Sequence, residues 1–303
     1  MAKHKNPTRK KAVIIGINYT GTENELQGCI NDANNIAEFI KTHYGFITKG
    51  TVILTDDGHG DGLPTKENIL KAMRWLVEDA GPNDSLFFHY SGHGDRQWDE
   101  DGDEADGFDE IILPLDYEKK GVITDDKMNE IMVRPLPKGC QLTAIFDCSH
   151  SGSALDLPYI YNEQGKLSKF VPELNIQPHT TKESGFRRFI NRLCRKKSKS
   201  VTKVSRIIEF PNDANVPEKG SLGDVVLLSS CRDSELSVDA KVNLSQRTGL
   251  LTYAVLNTLM ANPYNTSYYE LLSRIQYLVN GKFSQAPQLS SSHPMNMEAK
   301  FLL

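Results

Sequence analysis

No CxxC pair occurs in this sequence, and its five cysteines, Cys29, Cys140, Cys148, Cys194 and Cys231, are odd in number. That pattern excludes a zinc ribbon and a fully paired disulfide framework, and it points to a reducing, intracellular setting. No run approaches the roughly 20 apolar residues of a membrane span. The basic start Met1–Lys11 is followed by an apolar stretch, Ala12–Ile17, too short for a secretory signal; residue 2 is Ala, so the N-myristoylation pattern is missing as well. A basic surplus is also lacking: the formal net charge of -4 disfavours a general nucleic-acid binder. No internal repeat is found. What is present is a 303-residue chain with 39% hydrophobic residues, enough to bury a sizeable core and read as one domain.

Apolar runs and helical periodicities alternate along much of it. Ala12–Tyr19, Thr51–Leu54, Ser85–Tyr90, Ile111–Pro114, Gln141–Phe146 and Val225–Ser230 read as strands, with a terminal strand near Lys300–Leu303. Helices are expected over Ile30–Tyr44, over Thr65–Val77 behind Pro64 and a Thr-Lys-Glu-Asn capping pattern, and from Asp125 to Met132. Two more are expected over Leu250–Met260 and Tyr268–Val279. Strands alternating with helices of this length imply βαβ units, hence an α/β fold with a mostly parallel sheet and helices on both faces.

Two charged segments interrupt the pattern. From Asp95 to Glu110 the chain is so acidic that it reads as a loop; it is no EF-hand, because counting from Asp99 or Asp101 the sixth position is Glu104 or Asp106 instead of glycine. Between Lys182 and Arg206, ten Lys and Arg side chains meet one acid, Glu183, and the segment reads as exposed and mobile.

Chemistry concentrates in two stretches. Phe-Phe-His-Tyr-Ser-Gly-His-Gly, 87–94, and Leu-Thr-Ala-Ile-Phe-Asp-Cys-Ser-His-Ser-Gly, 142–152, each read as a buried strand ending in a polar loop. In an open α/β sheet such loops converge at the carboxyl edge, where ligands bind. A His on one and a Cys/Ser pair on the other are the parts of a base and a nucleophile. His93, between glycines, suits a general base, whereas His89 lies within its strand and reads as a core residue.

These stretches, with Gly-Cys-Ile-Asn-Asp-Ala near the start and Ser-Ser-Ser-His-Pro near the end, resemble a type I metacaspase over Lys11–Leu303. The resemblance implies a caspase-like sandwich acting as a cysteine endopeptidase. A basic tail, 1–10, would precede one catalytic domain, 11–303. That domain would divide into a large-subunit-like region, 11–165, a basic mobile linker, 166–222, and a small-subunit-like region, 223–303. It also implies a monomeric, cytoplasmic or nuclear enzyme acting on polypeptides, with no nucleic-acid or membrane partner.

Residue by residue, the resemblance makes His93 the base and puts the nucleophile at position 149, where this chain departs from the family: Ser149 stands in place of Cys. Backbone N–H groups at Ser149 and Gly94 would form the oxyanion hole. Cys148 should face away from the cleft, since side chains alternate at a strand end. Asp32 and Asp147, which in isolation read as helix caps, would floor a pocket lined by Cys29 and Ser91 that selects Arg or Lys. Asp109, Asp125, Asp126 and Asp156 match the family's calcium site; the Asp99–Asp106 run reads as a solvated acidic face, but these four, clustered without a cation, would repel one another, and an oxygen-only set suits Ca2+. The implied activity is Ca2+-dependent cleavage after Arg or Lys, blocked here by Ser149, with self-processing in the basic linker. A non-catalytic pseudopeptidase that binds partners is the alternative.

Overall fold

Alternation between the two faces of each strand decides the architecture. In Lys10–Gly16 (β1), Val13 and Ile15 join one apolar cluster while Ala12 and Ile14 join another. The same split recurs in Ser85–Ser91 (β3), where Phe88 and Tyr90 oppose Phe87, and in Gln141–Asp147 (β7), where Ala144 and Phe146 oppose Ile145. A strand that is apolar on both faces must be covered on both. The computed structural model describes residues 9–98, 108–162, 164–168, 221–230, 239–243, 246–279 and 287–303, and it has this layered form.

The main sheet has eight strands in the order β2-β1-β3-β7-β10-β13-β8-β9, with β2 at Thr51–Thr55, β8 at Tyr159–Tyr161, β9 at Leu167–Ser168, β10 at Asp224–Ser229 and β13 at Gln288–Ser291. Its first five strands run parallel and the last three are antiparallel to their neighbours. One face is covered by Lys66–Val77 (α2) and Asp125–Met132 (α4), the other by Cys29–Tyr44 (α1), Leu250–Ala261 (α5) and Tyr268–Val279 (α6). A short helix, Tyr117–Lys120 (α3), lies between α2 and α4 in the chain. The α1 stripe of Ile36, Phe39 and Ile40 and the α2 stripe of Ile69, Met73 and Leu76 are fully or nearly fully buried. Each such side chain contributes about 1.5–3 kcal/mol of transfer free energy.

Helix ends follow local rules. The Thr65 side chain accepts from the Asn68 N–H, as the capping pattern predicts, and Thr124 accepts from the Lys127 N–H at the start of α4. Gly45, in the left-handed region at φ 72°, ends α1 and returns its N–H to the Ile40 carbonyl.

Several expectations need correction. β1 starts at Lys10 and ends at Gly16, short of Tyr19, which adopts a left-handed φ of 51°. The stretch read as an acidic loop contributes Gly94–Trp98 (β4) and Phe108–Ile112 (β5), which pair antiparallel and, with Ile123–Thr124 (β6), form a second sheet; Asp95, Asp109 and Glu110 are buried in it. Residues 99–107 and the basic segment 182–206 lie outside the described residues. No strand forms over 300–303, where Lys300 makes a single bridge to Ser267; the strand near the C-terminus is β13. A hairpin, Asp239–Asn243 (β11) with Gln246–Gly249 (β12), leads into α5.

Candidate active site

Parallel pairing in register puts Ser91, the last residue of β3, opposite Asp147, the last residue of β7. The two loops therefore leave the sheet side by side at its carboxyl edge, with His93 and Ser149 each two residues further on. Gly94 packs directly on the second loop. A Cβ there would sit 3.0 Å from the Cys148 Sγ and closer still to the Ser149 carbonyl oxygen, a backbone atom that cannot swing away. Gly94→Ala should therefore destabilise the fold by about 1–3 kcal/mol, read as a lowered urea midpoint; an unchanged midpoint would mean that the loops are not packed this way.

His93 is held in one tautomer. Its Nε2 lies 2.7 Å from the Asn24 carbonyl oxygen, which can only accept, so Nε2 carries the proton and Nδ1 is the basic nitrogen. The ring lies 4.7 Å from that of Tyr19, and the His93 N–H donates to the Tyr19 hydroxyl at 3.1 Å. Burial holds the imidazole pKa below the usual histidine value, so the ring is neutral near pH 7 and able to take a proton.

Ser149 is half-buried, whereas Cys148 is buried in the cluster that holds Tyr90 and Phe146. The Cys148 carbonyl accepts from the Ser151 and Ser230 hydroxyls, both at 2.9 Å, and His150 takes a left-handed φ of 51°. These contacts turn the chain sharply just after position 149.

Asp32 and Asp147 come together, and Asp32 is no cap of its own helix. Its carboxylate reaches out of α1 to accept from the Ser91 hydroxyl at 2.7 Å, from the Gly249 N–H at 2.9 Å and from the Thr248 hydroxyl. Asp147 accepts from the Thr252 N–H at 2.8 Å. The pair thus caps α5, whose first-turn N–H groups would otherwise be orphaned. Gly249 is required between them: a Cβ would stand 2.7 Å from the Asp32 Oδ2 and 2.6 Å from the Asp147 Cγ. Burial, and then the neighbouring Asp147 carboxylate, push the Asp32 pKa up to about 7. Cys29 is buried at the first turn of α1, three residues before Asp32, and its N–H donates to the Asn18 side chain.

Of the four acidic residues with oxygen-ligand character, Asp109, Asp125 and Asp126 offer atoms within 4.8 Å of one another. Asp109 and Asp125 are buried, Asp126 is half-buried, and Asp125 accepts from the Glu110 and Asp126 N–H groups. Three carboxylates at this spacing repel one another, and an all-oxygen donor set suits a hard cation. Asp156 stands outside that group, at φ 50° in a half-buried turn; the preceding Leu155 carbonyl accepts from Asn129 of α4 at 2.8 Å.

Comparison with known proteins bears on what this arrangement is. Residues 10–158 match the family model described as metacaspase, peptidase C14 domain. Metacaspase-1 of Debaryomyces hansenii is 44% identical over 306 aligned positions, covering 97% of this chain and 67% of that protein. Metacaspase-1 of Schizosaccharomyces pombe is 45% identical over 307, covering 97% and 70%. The chain belongs to the type I metacaspases. Metacaspase-1B of Aspergillus niger, 47% identical over 300 positions, covers 95% of this chain and 66% of its own. A crystal structure from Geobacter sulfurreducens, 19% identical with a TM-score of 0.60 and 97% coverage of both chains, shares the fold alone.

Membership makes this metacaspase, by family, a caspase-like cysteine-type peptidase with polypeptide substrates. Among the described residues no helix is long and apolar enough to cross a membrane. Asn24, Tyr19, Thr248, Gly249 and Thr252, which orient His93 or hold the acid pair, were not singled out in the sequence. Tyr19 and Thr252 fall within an expected strand and an expected helix, where they read as ordinary element residues, and Asn24, Thr248 and Gly249 carry no motif that marks them.

Proposed function

We propose that this metacaspase is a Ca2+-dependent endopeptidase scaffold selective for Arg or Lys at the cleaved position, silenced by Ser149. The observation that carries the proposal is the placement of the buried acids Asp32 and Asp147 at the same sheet edge as the neutral base His93 and Ser149. A buried carboxylate pair favours a guanidinium or ammonium and rejects a carboxylate, which it would desolvate against like charge. Ser91 and Cys29 flank the pair, and the N–H groups of Ser149 and Gly94 are the proposed oxyanion donors. Activity of Ser149→Cys on Arg and Asp peptides is the test. Self-cleavage in the interval Lys166–Lys219, which is rich in such residues, belongs to the same proposal.

A second reading has its own support. The acid pair already accepts bonds from the α5 N-terminus, so it has a structural use that a non-catalytic binding protein would also keep. Either form is proposed as monomeric, since β8 and β9 cover β13 on that side of the sheet. A cytoplasmic or nuclear setting fits the buried Cys29, Cys140 and Cys148.

Ca2+ is proposed at Asp109, Asp125 and Asp126, with Asp156 reaching it from the adjoining turn. When bound, the ion would neutralise the cluster and tie α4 and β5 to the loop that follows Ser149. Ca2+ at ten times its Kd should stabilise the fold by about 1.4 kcal/mol, raising Tm by roughly 2–3 °C. Mg2+ should do far less, and Asp126→Asn should abolish the shift. Thermal melts with equal responses to both ions, or an undiminished response in Asp126→Asn, would count against the site.

A further inference from the structure

His89 is fully buried on the face of β3 that also carries Phe87 and Ser91, and the mechanism leaves it unused. Its surroundings on that face are apolar, including Ile14 and Ile145, its partners on the neighbouring strands. Its Nδ1 is buried with no hydrogen-bond partner, and burial pushes its pKa down to about 3, so the ring is neutral. A leucine or phenylalanine there would satisfy the strand's alternation without leaving a ring nitrogen unsatisfied, an arrangement that costs about 1–3 kcal/mol. A residue that breaks the local rule at such a cost marks a place where position matters.

What the imidazole holds is Thr252, also fully buried, through Nε2 to the Thr252 Oγ1 at 3.2 Å. The N–H of the same Thr252 donates to the Asp147 Oδ2 at 2.8 Å. Three residues earlier, the Gly249 N–H meets both oxygens of Asp32 at 2.9 Å. The apolar contacts of Leu251, Ala254 and Val255 seat α5 on the sheet but leave its rotation loosely defined, since apolar burial is non-directional. A hydrogen bond is directional, and this one acts on the turn that touches the carboxylates.

We propose that His89 is a positioning residue for the basic-residue pocket: through Thr252 it fixes the first turn of α5 against Asp147, and so sets how the two carboxylates meet an incoming guanidinium. This rests on the proposal that Asp32 and Asp147 receive the substrate cation. His89 touches no substrate; its effect is carried by the helix.

The test uses the full chain, with agmatine as the probe of the Ser149 protein by calorimetry and an Arg peptide as substrate of Ser149→Cys. Thr252→Val removes the hydroxyl at constant shape and should weaken agmatine binding about tenfold, the loss of one directed hydrogen bond. Thr252→Ser should restore it. In the Ser149→Cys background the same loss should appear in KM rather than kcat. His89→Leu should match Thr252→Val, and the double variant should be no worse than either; should His89→Leu fail to fold, the Val and Ser pair at 252 still decides. Parent-like binding in Thr252→Val, no rescue by Ser, or additive losses would overturn the role of His89. Asp147→Ala separates the two levels: if it leaves agmatine binding and KM intact, the pocket itself is misassigned and the inference falls with it.

Discussion

Ser149→Cys should turn on cleavage after Arg and Lys by a factor on the order of 10³–10⁴ in kcat/KM, with Ca2+ present. The site is built for a thiol. A cysteine near its ordinary pKa of about 8.5 is already partly thiolate at neutral pH and needs only a modest base. A serine hydroxyl must be deprotonated during attack, and the imidazolium then formed must be stabilised, normally by a carboxylate behind it. Here the Nε2 of His93 meets the Asn24 carbonyl, and that bond and the Asp95 carboxylate favour the protonated ring too weakly to offset its burial. The lowered pKa of His93 adds to the difficulty, because a weaker base gains less by taking the hydroxyl proton. Initial rates on matched Arg and Asp peptides check this. Comparable rates for the Ser149 protein and the Ser149→Cys variant would mean that the hydroxyl is a competent nucleophile, and silence of both would favour the binding reading.

Asp32→Ala and Asp147→Ala, each in the Ser149→Cys background, should cost on the order of 2–5 kcal/mol in transition-state binding, the range for removing one partner of a buried charge pair. That corresponds to roughly 30- to 5,000-fold in kcat/KM on Arg peptides. Both should also lower Tm, because these carboxylates cap α5 through Gly249 and Thr252. The pH dependence has a definite sign. Asp32 has a folded-state pKa raised to about 7, so the proton it holds stabilises the fold below its unfolded value near 4. That contribution is lost as pH rises through about 7. Cation capture runs the opposite way: KM for Arg peptides should fall from pH 6 to pH 8 as Asp32 ionises, while Tm declines. A KM that is flat across this window with Asp32 in place, or one that shifts equally in Asp32→Ala, would contradict the assignment.

How much of this was legible in the sequence depended on whether the signal was local. β3 and β7 stood out because both of their faces are apolar and each ends abruptly in a polar loop, and the motifs around His93 and Ser149 lie just there. The Thr65 and Asp125 helix starts were legible for the same reason, since a cap and its helix are neighbours in the chain. β13 was hidden: Gln-Leu-Ser-Ser has little apolar content, yet Ser290 and Ser291 are buried by pairing with β10 and β8. The acidic stretch misled for a related reason. Charge density marks solvent only when nothing opposes the charge, and Asp109, Glu110 and Asp125 are buried around one another's N–H groups and carboxylates. The bond between Asp32 and Gly249 joins residues 217 apart, so no window along the chain could reveal that the acid pair caps α5.

The most direct test of an intact Arg/Lys peptidase stopped at one atom is digestion of a mixed peptide library by the Ser149 and Ser149→Cys proteins in parallel, with and without Ca2+. Mass spectrometry would read the residue before each cut. The account predicts cuts after Arg and Lys by Ser149→Cys only when Ca2+ is present, accompanied by nicks in its own 166–219 interval, and an uncut library with the Ser149 protein. Cuts after Asp, or a library left untouched by Ser149→Cys in Ca2+, would contradict it.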